Sequence, residues 1–321
     1  MTAGVFARAY AVTMRPYLLF VSGATGLAGL ALVPGVELAT VFPAGIVFFL
    51  SYGFGQALTD CFQLDTDSLS APYRPMVQGV LDRRDVLLVS LLGLLVCGGV
   101  VVALHPMNAL LAGLAVIGLA TYTWFKRRWW AGPIWNAAVV ALLFLMGYAA
   151  GVGGSGDAPR FGLGLLGSLI AVFFGYANFV LTGYLKDTTA DRATGYRTLP
   201  VVFGLVPTRL ASDGCALLVL GGVVLAAQDI LRTATRTSGA MVLGGALLVA
   251  GAGAAGLGQL RLRRVYSERN AFAAIVPVVH AYVLLLSGLA ALAQPVWAIP
   301  LAGLYAAFVV VLRRRPMREQ V

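Results

Sequence analysis

The most polar stretch of an otherwise apolar chain reads Thr59-Asp60-Cys61-Phe62-Gln63-Leu64-Asp65-Thr66-Asp67 and leads on to Arg74-Pro75. It follows directly on a long apolar run and holds three of the chain's 13 acidic residues. On a helix Asp60, Gln63 and Asp67 would share one face, because they are spaced i, i+3 and i+7. Two carboxylates and an amide on one face suit a hard cation such as Mg²⁺, although a solvated acidic loop has the same composition.

A second polar stretch also comes directly after a long apolar run. It reads Lys186-Asp187-Thr188-Thr189-Ala190-Asp191-Arg192 and leads on to Thr198-Leu199-Pro200. Asp187 and Asp191 are spaced i and i+4, which again places them on one face of a helix. Two carboxylate clusters at equivalent ends of apolar spans would suit two metal ions with a diphosphate between them.

The composition around these stretches is that of a membrane protein. Of the 321 residues 60% are apolar and only 11% are charged, whereas a soluble domain has about a quarter charged residues. Several charge-free runs are long enough to cross the hydrocarbon core as helices. We therefore predict an all-α protein, a single polytopic domain over residues 1–321 with nine to ten transmembrane helices around a central cavity.

Ten apolar segments are candidate spans. They cover about Pro16 to Val33, Val41 to Leu58, Val86 to Leu104, Met107 to Trp124, Pro133 to Val152, Gly162 to Leu185, Leu210 to Ala227, Gly239 to Leu260, Ala271 to Leu292 and Val296 to Leu312. The last is short, and we expect Pro300 to interrupt it. With a cytoplasmic N-terminus, 20 of the 23 Lys and Arg residues fall on the cytoplasmic side, and Arg160, Arg232 and Arg236 fall on the other.

This asymmetry predicts a multi-pass protein of the cell membrane, with both termini and both polar stretches on the cytoplasmic side. The cavity would then open to the cytoplasmic rim. The same asymmetry explains the net charge of +10, since most of the positive charge marks the cytoplasmic side and attracts anionic lipid. A nucleic-acid partner is therefore not expected.

The two polar stretches resemble the motifs of the UbiA superfamily of intramembrane prenyltransferases. The family pattern Asn-Asp-x-x-Asp-x-x-x-Asp with a following Arg-Pro matches Thr59, Asp60, Gln63, Asp67 and Arg74-Pro75. Thr59 replaces the usual Asn, and Gln63 replaces the usual middle Asp. The second pattern, Asp-x-x-x-Asp with Gly-x-x-Thr-Leu-Pro-Val, matches from Asp187 to Val201, and a third, Tyr-x-x-x-Lys, matches Tyr122 and Lys126.

The resemblance implies a Mg²⁺-dependent transfer of a prenyl group from an isoprenyl diphosphate to a lipophilic or aromatic acceptor, within the lipid bilayer. The implied metal ligands are Asp60, Gln63, Asp67, Asp187 and Asp191, of which the four carboxylates are also the implied catalytic residues. Asp191 is the implied base for the acceptor. The implied diphosphate-binding residues are Arg15, Arg74, Tyr122, Lys126 and Lys186. For Arg15 a simple topology anchor at the start of the first span is equally consistent.

Two other functions remain open from the sequence. A terpene cyclase of the UbiA type would use the same metal site, and the altered positions Thr59 and Gln63 leave room for it. A transporter or lipid-binding protein without chemistry is disfavoured by the paired Asp stretches. His280, deep in a span, is a functional candidate by position, but a histidine bonded to a neighbouring helix is the simpler interpretation.

Overall fold

The computed structural model describes residues 2–156, 161–233 and 239–315, and every regular element within them is helical. The α-helices are α1 (Ala3–Thr13), α2 (Leu19–Ala31), α3 (Leu38–Asp60), α4 (Leu64–Ser70), α5 (Arg83–Leu104), α6 (Met107–Arg128), α7 (Gly132–Ser155), α8 (Leu163–Tyr184), α9 (Thr188–Ala193), α10 (Leu199–Phe203), α11 (Leu205–Thr233), α12 (Gly239–Leu262), α13 (Glu268–Ala293) and α14 (Ala298–Arg313). The predicted all-α class is confirmed. Arg160 and Arg236 lie outside the described residues.

The number of spans agrees with the prediction. The shortest apolar helix, however, is the first and not, as the sequence had suggested, the last. Nine helices of the described residues are long and apolar enough to cross a membrane. The last span covers Pro295 to Arg313 and consists of a one-turn helix, Pro295–Trp297, followed by α14. Pro300 does not interrupt it, because it lies in the first turn of α14, where a missing N–H breaks no helical hydrogen bond. The shorter apolar helix is instead the first, Pro16–Ala31.

Helix α13 forms the centre of the bundle. In the most apolar part of α13, 89% of the residues are buried inside the protein. The corresponding shares are 22% for α5 and 17% for α6. It packs against α2, α8, α12 and α14, and α2 in turn packs against α3 and α7. The outer faces of α5 and α6 carry exposed leucines and valines, as expected for helices that face lipid.

Helices α2 and α7 cross at backbone contact. A Cβ atom added to Gly147 would collide with the carbonyl oxygen of Gly26, and one added to Gly29 would collide with the carbonyl oxygen of Phe144. Small residues allow membrane helices to approach this closely, and close packing is a main attraction between helices in lipid. The crossing fixes α2, and with it the segment that leads into α2 from Arg15.

Replacing Gly147 by leucine should therefore force α2 and α7 apart and destabilise the fold by about 1–3 kcal/mol, the usual cost of overpacking. The measurement is the thermal unfolding midpoint of the purified protein in detergent. Gly113→Leu on α6 is the matched control, because nothing lies within 4 Å of an added Cβ there. Equal midpoints for the two variants would show that the crossing is not tightly packed.

Candidate active site

A cavity of about 280 Å³ lies between α2, α3, α5, α6, α7 and α8. Its interior is mainly apolar, with Phe48, Leu94, Val101, Val116 and Leu143 among its walls. Its mouth is highly charged and is lined by Arg15, Asp60, Asp67, Arg74, Lys126, Lys186 and Asp187. Because α3 and α8 both end at this mouth, the two polar stretches that follow them meet there, as predicted.

The first polar stretch does not form one helical face, contrary to the expectation from spacing. Helix α3 ends at Asp60, the chain turns, and Gln63 is the residue before α4. The turn nevertheless brings both carboxylates to one guanidinium. Arg74 Nη1 lies 3.4 Å from Asp60 Oδ1 and contacts Asp67 Oδ2 more closely. The two acids are thus joined through a cation rather than by helical periodicity.

Arg15 belongs to the mouth and is not a surface anchor. Its Nη2 donates to both carboxylate oxygens of Asp60 at 3.0 Å. Its φ of 52° makes it the one described non-glycine residue in the left-handed region, a conformation that costs about 1–3 kcal/mol when the surroundings impose it. The conformation turns the chain between α1 and the one-turn helix Pro16–Leu18, at the point where this side chain reaches Asp60.

Burial at the mouth penalises uncompensated negative charge. Asp60 is 2% exposed and Asp67 is 4% exposed. Burial raises the pKa of the Asp67 carboxyl, the Arg74 guanidinium lowers it, and the neighbouring Asp60 carboxylate raises it again. The acids here therefore depend on cations in contact with them.

Asp65 lies outside the mouth. Its carboxylate pairs with Arg127 Nη2 at 2.6 Å near the protein surface. Next to it, the hydroxyl groups of Thr66 and Thr194 share a hydrogen bond of 3.0 Å. This bond links the two polar stretches directly, α4 to the residue after α9.

The second polar stretch separates its two acids. Asp187 is the residue before α9 and lines the cavity, whereas Asp191 lies within α9, is fully buried and does not border the cavity. Asp191 Oδ1 pairs with Lys126 Nζ at 3.1 Å, and Thr198 Oγ1 donates to Asp191 Oδ2 at 3.1 Å. Burial raises the pKa of the Asp191 carboxyl and Lys126 opposes the rise. In this arrangement Asp191 holds Lys126 and is not positioned as a base for a molecule in the cavity.

Two more of the predicted diphosphate-binding residues border the cavity. Burial lowers the pKa of Lys186 to about 8, Asp187 opposes the shift, and the positive charges of Arg15 and Arg74 add to it. The hydroxyl of Tyr122 shares a hydrogen bond of 2.9 Å with that of Tyr184. Lys126 Nζ lies 5.1 Å from the centre of the Tyr184 ring, so a cation and two tyrosines meet on this wall.

Sequence reasoning missed two polar residues of the cavity, Gln56 and Asn136, and the hydrogen bond between Tyr52 and Tyr176. Gln56 Nε2 donates to Asp60 Oδ1 at 2.7 Å, and its position one turn before Asp60 on α3 was a usable signal. Asn136 lines the cavity from an apolar helix. Tyr176 donates to Tyr52 across the cavity at 3.4 Å, and nothing in the sequence pairs these residues of α8 and α3.

The donor set suits Mg²⁺ bound together with a diphosphate. No three His, Cys, Asp or Glu residues of the described ranges stand close enough together to hold an ion. Mg²⁺ in such sites usually takes one or two carboxylates, and substrate phosphates and water fill the other positions. Asp60 and Asp67 form such a pair at the mouth, and Asp187 also lines it. Gln63 lines the same cavity, and its Nε2 donates to Thr123 Oγ1 at 3.4 Å.

Comparison with known proteins now decides the family. Residues 19–276 match the UbiA prenyltransferase family. The chain belongs to that family. It is therefore a prenyltransferase that acts on isoprenyl diphosphates, and the predicted family and enzyme class are confirmed.

Named relatives and solved structures agree with this assignment. Digeranylgeranylglyceryl phosphate synthase of Thermococcus kodakarensis is 28% identical over 61% of this chain and 69% of its own. The enzyme of the same name from Halobacterium salinarum is 31% identical over 59% of this chain and 67% of its own. The fold is similar to that of a UbiA homologue from Aeropyrum pernix K1, with a TM-score of 0.66, 19% identity and coverage of 82% of this chain and 94% of that one. A UbiA homologue from Archaeoglobus fulgidus bound to GPP and Mg²⁺ has a TM-score of 0.58, 16% identity and coverage of 94% and 97%.

His280 lies away from the cavity mouth. Its Nδ1 shares a hydrogen bond of 2.9 Å with the hydroxyl of Tyr305 on α14, and its ring packs edge-on against Phe308. The contacts are those of a histidine bonded to a neighbouring helix.

The buried pair of Asp191 and Lys126 leads to a prediction about stability. Asp191→Asn should leave the Lys126 ammonium buried without its counter-charge and lower the free energy of unfolding by about 3–5 kcal/mol. Asp187→Asn, at a cavity-lining acid of the same stretch, should change it by less than about 1 kcal/mol. Thermal unfolding of both variants in detergent is the measurement. A larger loss in Asp187→Asn than in Asp191→Asn would contradict the assignment of the pair.

Proposed function

We propose that this enzyme transfers a geranylgeranyl group, with Mg²⁺, from its diphosphate to a hydroxyl group of a glyceryl phosphate lipid. The observation that carries the proposal is the cavity with an apolar interior and a mouth of four cations and three carboxylates. An isoprenyl diphosphate has the same division into a greasy tail and an anionic head. The choice of acceptor is supported by the relatives named digeranylgeranylglyceryl phosphate synthase, whose product carries geranylgeranyl groups on a glyceryl phosphate.

The diphosphate would sit at the mouth. Arg74, Lys126 and Lys186 border it and would supply fixed positive charge where negative charge grows as the diphosphate leaves. Asp60, Asp67 and Asp187 would hold Mg²⁺, with Gln63 as a weaker oxygen donor. Bound there, Mg²⁺ would make the diphosphate a better leaving group. Arg15 and Gln56, which bond Asp60, would fix the orientation of that carboxylate.

The prenyl chain would extend into the apolar interior. Val116 of α6 lines this part of the cavity, and 58% of its surface is exposed. The apolar walls around it suit a hydrocarbon chain such as the geranylgeranyl group. The large positive-inside asymmetry supports an orientation with the mouth toward the cytoplasm.

In the reaction the bond between C1 of the prenyl group and the diphosphate oxygen breaks, and the diphosphate leaves with the electron pair. The aromatic faces of Tyr122, Tyr176 and Tyr184 line this region and would stabilise positive charge on the allylic carbons. The acceptor hydroxyl oxygen forms the new bond to C1. Its proton passes to the departing diphosphate, since Asp191, the base expected from the resemblance, is buried against Lys126.

The test is an incubation of the purified full chain in detergent with Mg²⁺, geranylgeranyl diphosphate and geranylgeranylglyceryl phosphate, followed by mass spectrometry of the lipid extract. We expect digeranylgeranylglyceryl phosphate, lost on addition of EDTA. A parallel incubation replaces the lipid acceptor by 4-hydroxybenzoate, and another omits any acceptor. A prenylated benzoate alone would overturn the acceptor, and a cyclic hydrocarbon without acceptor would overturn transfer in favour of cyclisation.

The same assay tests the residues. Asp60→Asn should lower turnover at least about a hundredfold, because it removes an expected metal ligand and the partner of Arg15 and Arg74. Asp65→Asn is the matched control five residues on, since its carboxylate pairs with Arg127 outside the mouth. It should keep turnover within about twofold of the unmodified enzyme. Equal losses in the two variants would remove Asp60 from the site.

A further inference from the structure

A second cleft, of about 180 Å³, lies directly beside the cavity mouth. It is formed by the loop after α4, the loop after α8 and the first turn of α13. Arg74, Lys186 and Asp187 border both this cleft and the main cavity. A ligand in the cleft and a diphosphate at the mouth would thus be separated only by these three side chains.

The outer wall of the cleft is made by the start of α13. Glu268 accepts a hydrogen bond from the backbone N–H of Thr189, so its carboxylate is engaged with α9. Arg269 follows it, is exposed, and forms no ion pair with any residue in the described part of the chain. The cleft therefore offers one guanidinium without a carboxylate, next to a lysine that also faces the diphosphate position.

The position of Arg269 in its helix is electrostatically unfavourable. It lies in the first turn of a 26-residue helix, where the aligned peptide dipoles present positive charge. An anion between the helix start and the Arg269 guanidinium would turn this repulsion into attraction on both sides. Phe272 also lines the cleft, and Lys186 Nζ lies 5.4 Å from the centre of its ring, so an apolar surface adjoins the charged groups.

We propose that this cleft binds the phosphate group of the acceptor lipid, with Arg269 as a specificity-determining residue. The inference rests on the proposed function and adds the place where the acceptor is recognised. Two anionic groups, the acceptor phosphate and the donor diphosphate, would then flank Arg74 and Lys186. Cations shared in this way reduce the repulsion between the two substrates, and the apolar ring of Phe272 would contact the glyceryl part of the acceptor.

The kinetic test compares Arg269→Gln with Arg263→Gln, an exposed arginine that precedes α13 and does not border the cleft. Loss of one charge-assisted phosphate contact should raise KM for geranylgeranylglyceryl phosphate about tenfold or more. KM for geranylgeranyl diphosphate should stay within about twofold, and Arg269→Lys should recover part of the loss. With geranylgeranylglycerol, which lacks the phosphate, KM of the unmodified enzyme should rise by at least the same factor, and Arg269→Gln should raise it no further.

A binding measurement keeps this inference separate from the proposed function. Isothermal titration of glycerol 1-phosphate into the purified full chain should give binding that Arg269→Gln removes and Arg263→Gln retains. If that pattern holds while no glyceryl phosphate lipid is prenylated, the cleft is an anion site and the proposed acceptor is wrong. If the lipid is prenylated but Arg269→Gln changes neither its KM nor the titration, the cleft is not the headgroup site and Arg269 only contributes to membrane topology.

Discussion

The structure depends on the pairing of buried charges at one end of an apolar bundle. Carboxylates as buried as Asp60, Asp67 and Asp191 are stable in low-dielectric surroundings only with cations in contact. Arg15, Arg74 and Lys126 supply these cations. Arg15 and Arg74 lie in connections between helices, whereas Lys126 lies in the last turn of α6. The pairings therefore tie these segments together and gather charge at the mouth. A site that binds metal and diphosphate needs such charge. The same ion pairs therefore stabilise the fold and supply the charged groups of the mouth.

Because of this pairing, the two acids of the second stretch, Asp187 and Asp191, take different positions. Asp187 borders the cavity. Asp191 does not border it, but it forms an ion pair with Lys126, which does. Lys126 is held over the faces of Tyr184 and Tyr196, at 5.1 and 4.6 Å. A fixed ammonium at that wall costs no reorganisation when charge develops on a leaving diphosphate. The first stretch differs, since its acids Asp60 and Asp67 border the cavity together with the arginines that pair with them.

Much of this was predictable from the sequence, for physical reasons that can be named. Spans were readable because hydrocarbon requires long charge-free helices, and the meeting of the two stretches followed from both lying at the same end of their spans. Helical spacing failed where the chain leaves the helix, since α3 ends at Asp60 and Asp187 precedes α9. The left-handed Arg15 and the cleft at the start of α13 depend on contacts between segments far apart in sequence. No local pattern carries that information.

The proposed function requires acids from both halves of the chain to act on one bound diphosphate. The most direct measurement is the affinity for a non-reactive analogue, geranylgeranyl S-thiolodiphosphate, in the presence of Mg²⁺. It would be measured for the unmodified protein, Asp60→Asn, Asp187→Asn and the double variant. We predict that each single change weakens binding about tenfold or more and that the two effects are non-additive by at least about 0.5 kcal/mol. Unchanged affinity in either single variant, or strictly additive losses, would contradict a shared site.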